Sequence, residues 1–372
     1  MTSTSAAATA DRAGKYDFDL PVELIAQQPA EVRGSARSDA RLLVLNRAAE
    51  TVEHARFADI GRFLTNRDVV VVNNAAVVPS ILHGNAADGT AVVVNLFSPM
   101  DDGTWHCLVL PASSCVRDTE LEFAHGVRGK LLREEGAGVW RIALHPHDIG
   151  VITEIGEIAY PDYLREPPTD PQWYQTDFAS RPGATLFPSA ARHFTKEVLA
   201  ALRDRGVGVV EVTHFIAARW QPGYLARLLA QRAGAGLPGS TALSESTASL
   251  PFPRPERYEV STAAADEIND RRRAGGRIIV CGTSALRALE TVADPRSGRV
   301  WPGSGWTDLI LGPGHRFTAC DGFITNLHMP QSSELRLTSA IAGRELLLNL
   351  YQDVVVPERY LFNEFGDSML IV

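Results

Sequence analysis

The chain has 372 residues, 45% of them hydrophobic and 22% charged, with a net charge of −8 at neutral pH. That length accommodates two domains or one large domain with an insertion, and the composition is that of a globular protein with a substantial core. The acidic balance argues against a broad nucleic-acid surface, no apolar run reaches the length of a membrane span, and four cysteines without a Cys-x-x-Cys pair fit a reducing cytoplasm and no structural zinc.

In chain order, residues 1–15 are small and polar with no apolar stretch, which reads as a disordered tail and not a signal peptide. "DFDLPVELIAQQP" reads as a polar lead-in and a short helix that stops at Pro29. "RLLVLNR" is then a strand, "FADIGRFL" a helical turn and "DVVVVNN" a fully buried strand. From about Ala76 the texture changes to short alternating runs broken by Asp-Gly and Gly turns, the pattern of an antiparallel barrel or sandwich. Beyond Pro161 the pattern is α/β. Thr195 to Arg205 forms a helix with Val198, Leu199 and Leu202 on one face, Thr195 as its N-cap and Gly206 as its stop. "VGVVEVTHF" is a buried strand, and "AGAGLPGSTALSEST" a mobile loop or lid. There follow a helix in "ADEINDRRRAGG", the strand "RIIVCG", the helix "SALRALETVA", the strand "TDLILG" and the segment "DGFITNLHMP". The helix "SSELRLTSAIAGRELLLNLY" completes the region, capped by Ser332 or Ser333. The expected fold class is α/β: a larger α/β catalytic domain over 16–75 and 151–372, with a small inserted antiparallel β-barrel domain over 76–150.

Open α/β sheets bind ligands beyond the carboxyl ends of their strands. The residues in that position are Thr213-His214, Gly282-Thr283-Ser284 and Asn326-Leu327-His328. In "CGTSALR" the turn hydroxyls and the first helical N–H groups are suited to a carboxylate, a phosphate or a ribose hydroxyl. It lacks both the dinucleotide glycine spacing and the P-loop lysine, and an ordinary strand-to-helix loop with a serine cap is the plainer alternative. His193, His214 and His328 fall at strand or loop ends and are placed on one sheet edge, in a common cleft. None has the ligand spacing of a zinc site, and no Gly-x-Ser-x-Gly elbow marks a hydrolase.

"DFDLPVELIAQQP", "RLLVLNR", "DVVVVNN", "YQTDFASRPGA", "GTSALRALE", "DGFITNLHMP" and the terminal "RYLFNEFGDSM" together resemble the S-adenosylmethionine:tRNA ribosyltransferase-isomerases of queuosine biosynthesis, in order and spacing, from Asp17 to the C-terminus. The resemblance implies an α/β catalytic domain carrying a small β-barrel. It implies transfer of the ribosyl unit of S-adenosylmethionine to a deazaguanine base in tRNA, with release of adenine and methionine. S-adenosylmethionine is then a substrate, and neither a metal nor a membrane is involved. His193 and His214 become the acid–base candidates, their unperturbed pKa lying near neutrality. Tyr174, Gln175, Thr176, Ser189, Arg192, Arg219, Thr283, Arg287, Asn326 and His328 become substrate-binding candidates, although Arg287 is also spaced to pair with Glu290.

The sequence departs from the family's pattern near this expected site. Ser189 replaces a threonine, and Ala191-Arg192 replaces Gly-Leu. Ile216 and Ala218 fill two glycine positions, and Arg219 replaces a threonine. Pro255-Glu256-Arg257 stands for His-Ser-Glu, and Gln331 for a glutamate. With those acid–base groups gone, Glu256 and Glu334 join the two histidines as candidates for proton transfer. The new arginines suit an anionic small molecule, so a paralog acting on a non-tRNA acceptor is a competing reading. An inactive homolog acting as a binding protein is a third.

Overall fold

The structure, a computed structural model, describes residues 16–136, 138–161, 163–165, 170–217 and 255–372. The expected tail (1–15), the expected lid (233–247) and the candidate Arg219 lie outside the described residues.

Strands β1 (Arg41–Asn46) and β2 (Thr51–Arg56) form a hairpin, and β3 (Val69–Asn73) is followed by the short β4 (Ala75–Val77). The barrel strands come next: β5 (Ile81–Ala86), β6 (Ala91–Pro99), β7 (Trp105–Leu110), β8 (Glu120–Phe123), β9 (Arg128–Gly136) and β10 (Val139–His145). Helix α1 (Ile149–Ile155) and β11 (Gly156–Glu157) lead back to the main body, where β12 (Arg181–Ala184) pairs with β4. Then come α2 (Lys196–Asp204), β13 (Gly208–His214), β14 (Glu256–Val260), α3 (Thr262–Arg273), β15 (Ile278–Cys281), α4 (Gly282–Val292), β16 (Gly303–Thr307), β17 (Gly322–Asn326), α5 (Ser333–Ala342), α6 (Arg344–Leu350) and β18 (Ser368–Ile371).

Among the described residues, nine strands make the main sheet, in the order β16-β14-β13-β3-β15-β17-β18-β1-β2. Its centre, β13-β3-β15-β17, is parallel. Helices cover both faces, so the central strands have no solvent side and read as continuous apolar runs. Val69 and Val71 enter one core with Ala285, Leu286 and Leu289 of α4, while Val70 and Val72 enter the other with Val198, Leu199 and Leu202 of α2. Helix α2 begins where Thr195 Oγ1 accepts the Val198 N–H, and it stops before Gly206, whose φ of 79° favours glycine.

The six barrel strands close through β5 and β8, which pair Gly84 with Phe123 and Ala86 with Leu121. Leu82, Val94, Leu96, Cys107, Leu131 and Ile142 fill the interior, and Ile152 of α1 packs against them. Closure requires glycine at two points: a Cβ on Gly84 or Gly129 would sit 2.7 or 2.8 Å from the Phe123 ring. The barrel strands run from Ile81 to His145, and β11 joins the same sheet at Ile81 and Leu82. No helix of the described residues is long and apolar enough to cross a membrane.

Three local expectations differ from the structure. The helix expected before Pro29 is a single turn, Val22–Leu24, because Phe362 captures the chain there through Ala26 N–H and Leu24 O. "TDLILG" is not a strand. β16 ends at Thr307, where Arg287 takes the Thr307 and Leu309 carbonyls and draws the segment away from the ladder. The last long helix is two, parted at Gly343 with φ 95°. β18, absent from the sequence reading, lies between β1 and β17 with all its residues buried.

Candidate active site

The four parallel strands end at Asn73, His214, Cys281 and Asn326, and a two-lobed cleft opens at that edge. The lobes have volumes of about 390 and 300 Å³ and share Leu186, Ile216, Thr283, Ser284, Glu334 and Glu364.

Asn73 braces the edge. Its Oδ1 accepts the His214 and Ala75 N–H groups, and its Nδ2 donates to His214 O at 2.9 Å and to Ser284 Oγ at 3.1 Å. One buried amide thus fixes the end of β13 against the start of α4. Helices α2, α3 and α5 are capped by Thr195, Ser261 and Ser332, whereas α4 follows Cys281 and has no side-chain cap. Its first turn carries Thr283 and Ser284 on the wall of both lobes. Uncapped N–H groups at a helix start favour an anion or an oxygen-rich ligand.

The first lobe pairs an apolar wall, Leu309, Ile310, Leu311 and Leu337, with a charged floor. On that floor Glu256 accepts from Ala217 N–H at 2.9 Å and from Arg287 Nη1. Arg287 therefore pairs with Glu256, 31 residues away, and not with Glu290, which holds the Thr318 and Ala319 N–H groups. His214 Nε2 lies 3.5 Å from Glu256 Oε2, and neither ring nitrogen makes a hydrogen bond among the described residues. Burial, assisted by the Arg287 charge, pushes the imidazole down to about 3, so it is neutral at physiological pH.

The second lobe is more polar. Ser189 Oγ donates to Asn326 Oδ1 at 2.9 Å, leaving Asn326 Nδ2 without a hydrogen bond among the described residues. Thr325 Oγ1 and His328 Nε2 are 2.7 Å apart, and burial lowers His328 to about 4 against the opposing pull of Glu334. Glu364 stands where the lobes meet, its carboxyl pushed up to about 8 by burial and then by the Glu334 charge.

Of the expected site residues, the structure brings His214, Ser189, Thr283, Arg287, Asn326 and His328 to this cleft. It does not bring His193. That ring is buried against Phe57 at 5.2 Å with Nδ1 2.8 Å from Arg37 O, and burial lowers it to about 4. A carbonyl only accepts, so Nδ1 carries the proton. The expectation of three histidines in one cleft is thereby corrected to two.

Arg192 is 1% exposed, with Nη2 2.7 Å from Glu31 Oε1 and Nε donating to Trp173 O. Burial alone would raise the Glu31 carboxyl, but Arg192 and then Arg37 outweigh it and hold it at about 2. The arginine that breaks the family pattern is thus an internal brace, not a ligand-binding group. Arg257 pairs with Asp101 of the barrel at 3.2 Å, an exposed contact and not a buried one. Tyr174 packs between Phe187 and Phe365 at 4.9 and 5.5 Å, and Gln175 makes paired hydrogen bonds with Val77 N and O. Thr176 is buried beside them, so this triplet forms a wall behind the cleft and not its lining.

Glu364 and Asn73 escaped the sequence reading, although "FNEFGDSM" and "DVVVVNN" both stood out as motifs. Nothing local in "FNEFGDSM" marks Glu364, whose burial and proximity to Glu334 come from contacts distant in sequence.

A family model described as "Queuosine biosynthesis protein" matches residues 13–222 and 240–371. An S-adenosylmethionine:tRNA ribosyltransferase-isomerase of Desulforamulus reducens is 35% identical over 362 residues, 96% of this chain and 98% of that one. One from Moorella thermoacetica is 36% identical over 366 residues, 97% of this chain and 100% of that one. Among solved structures, an S-adenosylmethionine tRNA ribosyltransferase from Thermotoga maritima aligns with a TM-score of 0.52 and 27% identity, covering 96% of this chain and 100% of its own.

Proposed function

Since the chain belongs to the queuosine biosynthesis protein family, we propose that it is an S-adenosylmethionine:tRNA ribosyltransferase-isomerase acting in the cytoplasm. It moves the ribosyl unit of S-adenosylmethionine onto a deazaguanine base of tRNA, isomerises it, and releases adenine and methionine. S-adenosylmethionine is consumed as a substrate, and the proposed steps need no metal.

The observation that carries this reading is the neutral His214 beside the Glu256–Arg287 pair, in a cleft that also holds the uncapped start of α4. The sulfonium of the substrate acidifies the adjacent 5′ carbon, and a neutral imidazole is able to take that proton. Glu256, 3.5 Å away, favours the imidazolium that results. Arg287 pairs with Glu256 and, through the Thr307 and Leu309 carbonyls, fixes the apolar wall that keeps water from the rearranging sugar. Thr283 and the first N–H groups of α4 orient ribose hydroxyls. Ser189, Asn326 and His328 face the acceptor.

The small-molecule alternative drew on three new arginines. Arg192 is buried in its pair with Glu31, so it does not favour an anionic acceptor, and Arg257 is engaged at the surface with Asp101. The test is incubation with S-adenosylmethionine, with and without tRNA carrying the aminomethyl-deazaguanine precursor, followed by mass spectrometry for adenine and methionine. Release of both only in the presence of that tRNA is expected. Release that ignores the tRNA contradicts the proposal.

A further inference from the structure

Glu364 sits at the junction of the lobes, and its surroundings are those of an acid kept protonated. Its Oε2 is buried and makes no hydrogen bond among the described residues, while its backbone N–H donates to the Tyr163 hydroxyl at 3.4 Å. Helix α5 presents Glu334, an anion of like sign whose Oε2 accepts from Ser333 Oγ. The segment after β17 presents His328, neutral through burial. The opposite wall presents His214, also neutral, and Arg287, whose charge is met by Glu256. Behind the loop, Arg192 is bound to Glu31, and Arg33 donates to the Phe365 and Gln28 carbonyls. Asp367 accepts the Arg41 and Leu361 N–H groups. Among the described residues no cation of the cleft wall pairs with Glu364, and the neighbouring Glu334 opposes its ionisation.

Resting on the ribosyl-transfer reading above, we propose that Glu364 is the catalytic acid for adenine departure and then the base for the attacking amine, with Glu334 as the anionic neighbour that keeps the proton on Glu364. The atoms balance over two steps. As the bond between the sugar carbon and the purine nitrogen breaks, its electron pair goes to the purine, and the Glu364 O–H delivers a proton there. Neutral adenine leaves, and Glu364 becomes a carboxylate. The aminomethyl nitrogen then gives its lone pair to the sugar left electron-poor by that departure, and as the new bond forms it sheds a proton to the carboxylate, which restores the acid. A carboxyl facing both lobes serves the purine against Leu309, Ile310 and Leu337 on one side, and the amine beside Ser189 and Asn326 on the other. The buried rise of Glu364 to about 8 is consistent with this, since a general acid works best with a pKa near the operating pH.

The experiment measures adenine release from S-adenosylmethionine with precursor tRNA across pH 6 to 10 for wild type, Glu364→Gln, Glu364→Asp and Glu334→Gln, with S-adenosylmethionine binding followed by calorimetry. Glu364→Gln is expected to lower release about 100-fold or more with binding intact, and Glu364→Asp to recover part of it. Wild-type release is expected to fall as pH rises past about 8, and this limb moves to lower pH in Glu334→Gln. An unimpaired Glu364→Gln, or one that fails through lost binding, overturns the assignment. So does a basic limb that Glu334→Gln leaves in place, a readout that does not depend on how Glu364→Gln folds. Wild-type protein that releases no adenine would instead overturn the ribosyl-transfer reading itself.

Discussion

Arg192→Leu restores the hydrophobe that the family pattern has at this position, and the structure assigns it a cost in stability and none in acceptor choice. Glu31 is lowered from 4.5 to about 2 in the folded protein. At 1.36 kcal/mol per pH unit, the ceiling of that stabilisation is about 3 kcal/mol. Two features reduce Arg192's share. The Glu31 side chain is 34% exposed, so solvent screens the pair, and Arg37 Nε also reaches Glu31 Oε1 at 2.6 Å. Leucine also escapes the desolvation that a buried guanidinium suffers. Adding the lost bond to the Trp173 carbonyl, we expect a net loss of about 1–2 kcal/mol at pH 7. The folded carboxyl is depressed, so its stabilisation is present above 4.5 and is lost as pH falls toward about 2. The difference between variant and wild type therefore narrows through that window. Urea denaturation at pH 7, 4.5 and 3 reads the effect, and tRNA turnover reads the acceptor. Unchanged stability with altered acceptor preference would refute the internal-brace account.

His214→Asn is expected to lower adenine release by about 10²- to 10⁴-fold while S-adenosylmethionine binding persists, as befits loss of a general base. His193→Asn, away from the cleft, is expected to lower the melting temperature and leave turnover of the folded fraction unchanged. Asn73→Ala strips the His214 backbone and the Ser284 hydroxyl of their partner, and should cost about 2–3 kcal/mol in denaturant unfolding along with most activity. Gly129→Ala forces a methyl to 2.8 Å from the Phe123 ring, so barrel melting followed by tryptophan fluorescence should shift down by an equivalent of about 1–3 kcal/mol.

The elements that the sequence reveals are those whose causes are local. Thr195 and Gly206 mark the ends of α2 because capping and positive φ involve only neighbouring residues. The valine run of β3 is legible because two covered faces leave no polar position. β18 is not, since its place between β1 and β17 is decided by partners more than 300 residues upstream and some 45 residues upstream respectively. Site residues divide in the same way. His214 and Asn326 are recognisable at strand ends, where any ligand of such a sheet would lie. Arg192 looks like a binding group until Glu31, 161 residues earlier, is found to hold it. Glu364 gains its raised pKa from burial and from Glu334 on a separate helix, and neither is visible in the residues flanking it.

The measurement that bears most directly on the central claim uses S-adenosylmethionine labelled with carbon-13 throughout its ribose. After incubation with precursor tRNA, the tRNA is digested to nucleosides and the modified deazaguanosine is weighed. The account predicts a nucleoside that has gained the entire labelled sugar unit, formed in step with adenine and methionine. Label left wholly in small molecules, or a nucleoside of unchanged mass while adenine is released, would contradict it.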